Sequence, residues 1–316
     1  MKTAFLFPGQ GAQFVGMGKD LAEEFEVCAS VFEKANSIVG YDLRDICFNG
    51  PDEKLNSTTV SQPAIFTMSA AILELLKTLP ETKDIKPDVT AGLSLGEYTA
   101  LYAAGVISFE DGLKLVQKRG NAMQEAADAT DGSMVSIIGL EPEKVDELCE
   151  EAAQGELLKG ANYNCPGQVV VSGAKGACER ALGLAEKYGA MKAVELKVAG
   201  AFHTEMMAPA GDKLKDALDS CDVNEPADTK VIANVTADYY SDSQSIRSGL
   251  VNQLVKPILW QKCMEKLLGE GVEEFYEIGP GRVLTGLMRR IHRKTRVKNI
   301  SKAEAVKDLQ AKLSGK

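Results

Sequence analysis

Short apolar runs bounded by glycine, proline or charge alternate along this chain with stretches in which apolar residues recur every three or four positions. Residues 3–7, 89–93, 230–235, 274–278 and 297–300 have strand length, whereas 64–79, 95–104, 109–127, 206–218 and 258–270 have the periodicity of helices with one apolar face. Strands that alternate with helices in this way imply a mostly parallel sheet with helices packed on it.

Residues 129–198 follow a different order. Strand 134–140, helix 142–153, short strand 157–161, an Asn-rich turn leading into strand 168–172, helix 177–188 and strand 191–198 give βαββαβ, the order of a ferredoxin-like domain. The expected fold class is therefore α/β, with a large domain formed by 1–128 and 199–316 and a small ferredoxin-like domain, 129–198, inserted into it. The chain has no internal repeat of solenoid period.

Composition narrows the setting. A chain of 316 residues, 45% hydrophobic and 26% charged, is long enough for a large core and suits a globular protein. No apolar run reaches the roughly 18 to 20 residues of a membrane span, and the apolar start is broken at Pro8, too early for a signal peptide. The expectation is a cytoplasmic protein with no membrane partner, and a monomer by default. Seven cysteines without a Cys-x-x-Cys pair suit free thiols, and the two histidines, His203 and His292, lack the neighbours a metal would need, so no metal is expected. A net charge of −9 argues against nucleic acid as a partner. Against that balance, Arg289, Arg290, Arg293, Lys294, Arg296, Lys298 and Lys302 form an acid-free basic segment, which is either a solvated face or a dock for an anion.

The chemistry concentrates at Gly92-Leu93-Ser94-Leu95-Gly96-Glu97. A serine between two glycines, after a strand and before a helix, has the pattern of a nucleophile elbow, in which a tight turn lifts the hydroxyl above the sheet and aims the next N–H, that of Leu95, at a developing oxyanion. The alternative is an ordinary glycine-rich turn. A serine nucleophile needs a base. His203, in a loop leaving the small domain, is the better candidate, because the cationic surroundings of His292 would lower its basicity. The loop Phe7-Pro8-Gly9-Gln10-Gly11-Ala12-Gln13 has Phe14 where a dinucleotide fingerprint needs its third glycine. It is either a plain turn or the source of a second oxyanion donor, the N–H of Gln10. Nothing local decides whether Arg119 lies on a solvated surface or turns inward, where its fork would pair with a substrate carboxylate.

Taken together, these motifs resemble the malonyl-CoA:acyl carrier protein transacylase family, over nearly the whole chain. The resemblance rests on residues 7–13, Ser61-Gln62-Pro63-Ala64, the elbow, Arg119-Gly120, residues 162–168, Phe202-His203, Asn234-Val235-Thr236, Gln253-Leu254 and Gly279-Pro280-Gly281. It implies an α/β-hydrolase-like large domain, Ser94 as nucleophile, His203 as base, and Arg119 as the group that holds a malonyl carboxylate. It further implies oxyanion donors at Gln10 and Leu95, and Gln253 orienting the histidine through its main-chain carbonyl in place of a triad acid. Phe202 would crowd an α-methyl group and favour malonyl over methylmalonyl, a preference worth about 1 to 3 kcal/mol. The partners implied are malonyl-CoA and acyl carrier protein, with the CoA thioester as a substrate and no cofactor. The chain departs from the family's common histidine at Leu93. Rival readings are a serine thioesterase with an acid behind the histidine, a stand-alone acyltransferase of a polyketide pathway, and a non-catalytic module that binds the carrier.

Overall fold

The structure, a computed structural model, describes residues 1–315. In chain order the first part runs β1 (Lys2–Phe7), α1 (Lys19–Glu24), α2 (Glu26–Val39), α3 (Leu43–Asn49), α4 (Asp52–Asn56), α5 (Thr58–Thr78), β2 (Val89–Gly92), α6 (Gly96–Ala103) and α7 (Phe109–Asp128). Then come β3 (Gly132–Ile138), α8 (Pro142–Ala153), β4 (Leu158–Cys165), β5 (Gln168–Ala174), α9 (Lys175–Leu184) and β6 (Lys192–Glu195). After a single 3₁₀ turn at Glu205–Met207, the chain closes with α10 (Ala208–Asp219), β7 (Lys230–Val231), α11 (Ser243–Val255), α12 (Trp260–Gly269), β8 (Val272–Ile278), α13 (Val283–Ile291), β9 (Val297–Ile300) and α14 (Ala303–Leu313).

Two separate sheets result. The larger has the order β7-β2-β1-β8-β9 and every pair in it is parallel; the smaller has the order β4-β5-β3-β6 and is antiparallel throughout, the strand order of a ferredoxin-like unit. The alternation of β1 shows how the larger sheet is held. Phe5 and Phe7 face a core built with α2, α5, α6 and α7, while Ala4 and Leu6 face a second core with Trp260, Met264 and Leu284. Successive side chains point to opposite faces of a strand, so the unbroken apolar run of residues 4–7 is what a sheet buried on both faces requires.

Several boundaries differ from the sequence expectation. The helix expected from residue 64 begins at Thr58 and carries Pro63 inside it. Seventeen of its 21 residues are buried, and packing on that scale outweighs the one hydrogen bond a proline removes near a helix start. The same helix corrects the reading of the chain's apolar runs: by length and composition it is long enough to cross a membrane, with 89% of its apolar window buried inside the protein. Strand 230–235 is reduced to Lys230–Val231, with Ile232 in an antiparallel bridge to Tyr239, and Asn234 turns toward the serine. Strand 157–161 runs on to Cys165 through two register shifts, so half of the Asn-rich turn is strand. Helix 177–188 is shifted to Lys175–Leu184. Helices α1 to α4, α11, α13 and α14 had no sequence expectation. Most are short, and α11 has only a weak apolar stripe, its start being fixed instead by a capping box between Asp242 and Ser245.

Candidate active site

The site forms where β1 and β2 end side by side. Their register pairs Phe7 with Gly92, so the loop after β1 lies against the turn after β2. That turn is tight because glycine permits it: a Cβ on Gly92 would lie 1.9 Å from the carbonyl carbon of Gly96, and one on Gly96 would lie 2.1 Å from the oxygen of Phe7. Ser94, between them, has φ 51°, a left-handed conformation that costs a non-glycine residue about 1 to 3 kcal/mol. Two side chains strap its peptide in place. The Ser94 N–H donates to Asn234 Oδ1 at 2.7 Å, and the Ser94 carbonyl accepts from Gln253 Nε2 at 3.0 Å.

His203, also in the left-handed region at φ 61°, sets its Nε2 3.0 Å from Ser94 Oγ. Its Nδ1 lies 2.6 Å from the main-chain oxygen of Gln253. A carbonyl only accepts, so Nδ1 carries the proton and Nε2 offers its lone pair to the serine hydroxyl. Burial, assisted by the nearby positive charge of Arg119, pushes the His203 imidazole down to about 3, which keeps it neutral with its Nε2 lone pair toward the serine hydroxyl.

Arg119 does not end on the surface; it is 1% exposed, on the face of α7 that packs inward. Its Nη1 donates to Gln62 Oε1 at 2.6 Å, and its Nη2 donates to Ser94 Oγ at 3.1 Å and Gln253 Oε1 at 3.0 Å. The guanidinium carbon lies 5.5 Å from the centre of the Tyr98 ring, and Nε has no partner. A buried cation thus stands on the same oxygen as the candidate base. Leu95, the N-cap of α6, carries an N–H that no intrahelical carbonyl takes, at the positive end of that helix.

These groups open into a 480 Å³ cavity, whose lining includes Gln10, Ser94, Leu95, Arg119, Phe202 and His203. Its far wall comes from the smaller sheet, with Ser136, Asn162, Asn164 and Gln168. Every candidate site residue read from the sequence lines this cavity except Gln253, which lies behind it and acts on both His203 and Arg119. His292 is exposed, with Nδ1 2.7 Å from Thr295 Oγ1, and takes no part. The basic segment is partly structural: Arg290 donates to Gln168 Oε1 and to the carbonyls of Pro166 and Gly167, and Lys298 pairs with Glu274.

Three residues of the site were given no role in the sequence reading: Gln62, Asn234 and Glu97. Each stands as a polar residue within or beside an apolar run, and burial makes that position costly without partners. That signal could have marked all three.

Comparison with known proteins agrees with this geometry. The acyl transferase domain family matches residues 4–315. The chain is 43% identical over 306 residues to the malonyl CoA-acyl carrier protein transacylase of Bacillus subtilis, covering 96% of this chain and 95% of that protein. It is 43% identical over 288 residues to the enzyme of the same name from Escherichia coli, covering 91% and 92%. Among solved structures, an acyl carrier protein S-malonyltransferase from Vibrio cholerae superposes with a TM-score of 0.92 at 42% identity, covering 98% of this chain and 100% of that one. A malonyl-transacylase solved in complex with its type II PKS acyl-carrier protein gives 0.93 at 40% identity, with both chains fully covered. By domain, sequence and fold, this chain belongs to the acyl transferase family and, within it, to the malonyl CoA-acyl carrier protein transacylases.

Proposed function

We propose that this protein transfers the malonyl group of malonyl-CoA to the phosphopantetheine thiol of acyl carrier protein, through a malonyl ester on Ser94, in the service of fatty acid synthesis. The observation that carries the reading is the double hold on Ser94 Oγ, 3.0 Å from the candidate base and 3.1 Å from a buried guanidinium. A hydrolase of simple acyl groups would have no use for a buried cation at that oxygen, whereas a malonyl thioester brings a carboxylate to pair with it.

In the first half-reaction His203 Nε2 takes the hydroxyl proton as Ser94 Oγ bonds to the thioester carbon. The oxyanion so formed is held by the N–H groups of Gln10 and Leu95. The C–S bond then breaks, and the proton on His203 passes to the departing CoA sulfur. The second half-reaction is the reverse with the carrier thiol: His203 takes its proton, sulfur attacks the ester carbon, the C–O bond breaks and Ser94 regains the proton. The main-chain oxygen of Gln253 supports the imidazole throughout, and no step is routed through a metal or cofactor. Arg119 pairs with the malonyl carboxylate, and Phe202 limits room at the α-carbon. The reading takes the protein to work as a monomer in the cytoplasm, with a large domain, 1–128 and 199–316, and a small one, 129–198, closing on the cavity.

The test is intact-protein mass after incubation with malonyl-CoA, for the parent and Ser94→Ala, followed by carrier protein bearing phosphopantetheine. An adduct that needs Ser94 and moves to the carrier is expected. An adduct lost to water whether or not carrier is present would make the protein a thioesterase. Because one similar structure is a transacylase with a type II PKS carrier, carriers of both kinds are compared, and preference for the polyketide carrier would move the assignment to that pathway.

A further inference from the structure

Glu97 is a carboxylate with no exposed surface, three residues after the nucleophile, and it does not line the cavity. Its Oε2 accepts from the main-chain N–H of Asn234 at 3.2 Å and from Gln253 Nε2 at 2.7 Å, and its Oε1 accepts from the Tyr240 hydroxyl. Asn234 and Gln253 are the same two residues that strap the Ser94 peptide, one on its N–H and the other on its carbonyl. The strained turn at Ser94 is therefore held from both sides by residues that meet at one oxygen of Glu97.

Gln253 carries the connection further. Its amide nitrogen is committed to Glu97 and Ser94, so its amide oxygen faces Arg119, and its main-chain oxygen supports His203. An amide at this position has two orientations, and the Glu97 and Ser94 acceptors on one side, with the Arg119 donor on the other, select the one that offers oxygen to the guanidinium. In a Ser-His-Asp triad the acid touches the imidazole directly. Here the nearest buried carboxylate stands one residue further back.

We propose that Glu97 is a positioning residue of the acyl-transfer site: its carboxylate is the shared acceptor that holds Asn234 and Gln253, and through them the Ser94 turn, the Arg119 fork and the His203 support. The inference rests on Ser94 and His203 acting as proposed above. Burial pushes the Glu97 carboxyl up to about 7, even though its three donors and the Arg119 charge pull it back toward the ionised form. Burying such a group is costly unless its oxygens are hydrogen-bonded, and both oxygens of Glu97 are.

Two variants separate position from charge. Glu97→Met keeps the bulk and removes the acceptor. Glu97→Gln can keep its oxygen toward Asn234 and Gln253 and turn its amide nitrogen to the Tyr240 oxygen. For Glu97→Met the rate of Ser94 acylation at saturating malonyl-CoA should fall roughly 10- to 100-fold, the scale of misplacing reacting groups by a fraction of an ångström. The final fraction of acylated protein should stay near the parent's, and Glu97→Gln should recover most of the rate. A fold-only role would instead lower the fraction acylated at an unchanged rate. Because Glu97 acts through Gln253, its loss should shrink in a Gln253→Ala background rather than multiply. If Glu97→Met is insoluble, the smaller loss in Glu97→Gln must likewise shrink in that background. Parent-like acylation by Glu97→Met, or losses that multiply, would overturn the proposal. Labelling of Ser94 by a fluorophosphonate, which needs the turn and His203 but no malonyl group, is measured in parallel. A loss of labelling keeps the role of Glu97 even if malonyl transfer fails as the reaction, and undiminished labelling of Glu97→Met overturns it.

Discussion

Replacing Arg119 by alanine tests the substrate assignment most directly. In the parent the guanidinium is buried and already aimed at Ser94, with Nη2 bonded to Ser94 Oγ and Gln253 Oε1 and Nη1 to Gln62 Oε1. A malonyl carboxylate entering the cavity exchanges these neutral partners for a charged one. Two hydrogen bonds between charged groups are worth about 3 to 6 kcal/mol together, or roughly 10²- to 10⁴-fold in kcat/KM. An acetyl group has no carboxylate to lose. Arg119→Ala should therefore lower kcat/KM for malonyl-CoA by that factor while changing acetyl-CoA by less than about tenfold. The assay is acid-quenched acylation of Ser94 by each thioester, read by intact mass, with the melting temperature measured alongside, since the substitution also leaves Gln62 Oε1 and Gln253 Oε1 without their donor. The malonyl-enzyme of the variant should in addition lose a larger share of its acyl group to water than to carrier, because an unpinned acyl chain lets water approach. A malonyl to acetyl ratio equal to the parent's would refute the role of Arg119, and an unchanged ratio of hydrolysis to transfer would refute its part in excluding water.

Two further outcomes follow from the backbone and the buried charges. Ser94→Gly should be more stable than Ser94→Ala by about 1 kcal/mol in urea unfolding, because both lose the hydroxyl and only glycine is at ease at φ 51°; the usual order, alanine above glycine, would deny the strain. His203 has its pKa pushed down to about 3, mainly by burial, so the stability that comes from holding it neutral is complete above about 6.5 and is lost as pH falls through that range toward 3. Glu97, pushed up to about 7, has the opposite sign: it destabilises as pH rises from about 4.5 to 7, and the two slopes oppose each other between 4.5 and 6.5. His203→Gln removes the first slope alone, so from pH 7.5 to pH 5 it should gain about 2 kcal/mol relative to the parent in urea unfolding. A difference that stays constant with pH would refute the buried, neutral state.

How much of this was legible in the sequence varies with the range of the interaction. The elbow was visible because its demands are local: Gly92 and Gly96 stand where any side chain would collide with neighbouring backbone. Ser94 and His203 were paired by chemistry and scarcity, since only two histidines exist, and the structure joins them across 109 residues of chain. β1 and β2 were found from short apolar runs and β8 from Phe275, Tyr276 and Ile278 among its glutamates, whereas the short β7 was overextended because the apolar run continues past its paired residues. Helices such as α1 and α4, of six and five residues, carry too little periodic signal to be read, and their place is set by packing on α2 and α5.

By itself, then, the chain specified the order of strands and helices, the βαββαβ unit, the strained serine turn and the residue types available for chemistry, because these depend on sterics and hydrophobic periodicity over a few residues. The residues alone left open whether Arg119 points inward and what supports His203, and the family resemblance supplied the expectation for both; only the tertiary structure brought Arg119 onto Ser94 Oγ, set the Gln253 main-chain oxygen on His203 and placed Glu97 beneath both straps of the Ser94 turn. Those contacts span from 25 to 156 residues and depend on which groups are driven from water together. A buried donor or acceptor must find a partner, and which partner it finds is a property of the packed interior rather than of neighbouring sequence.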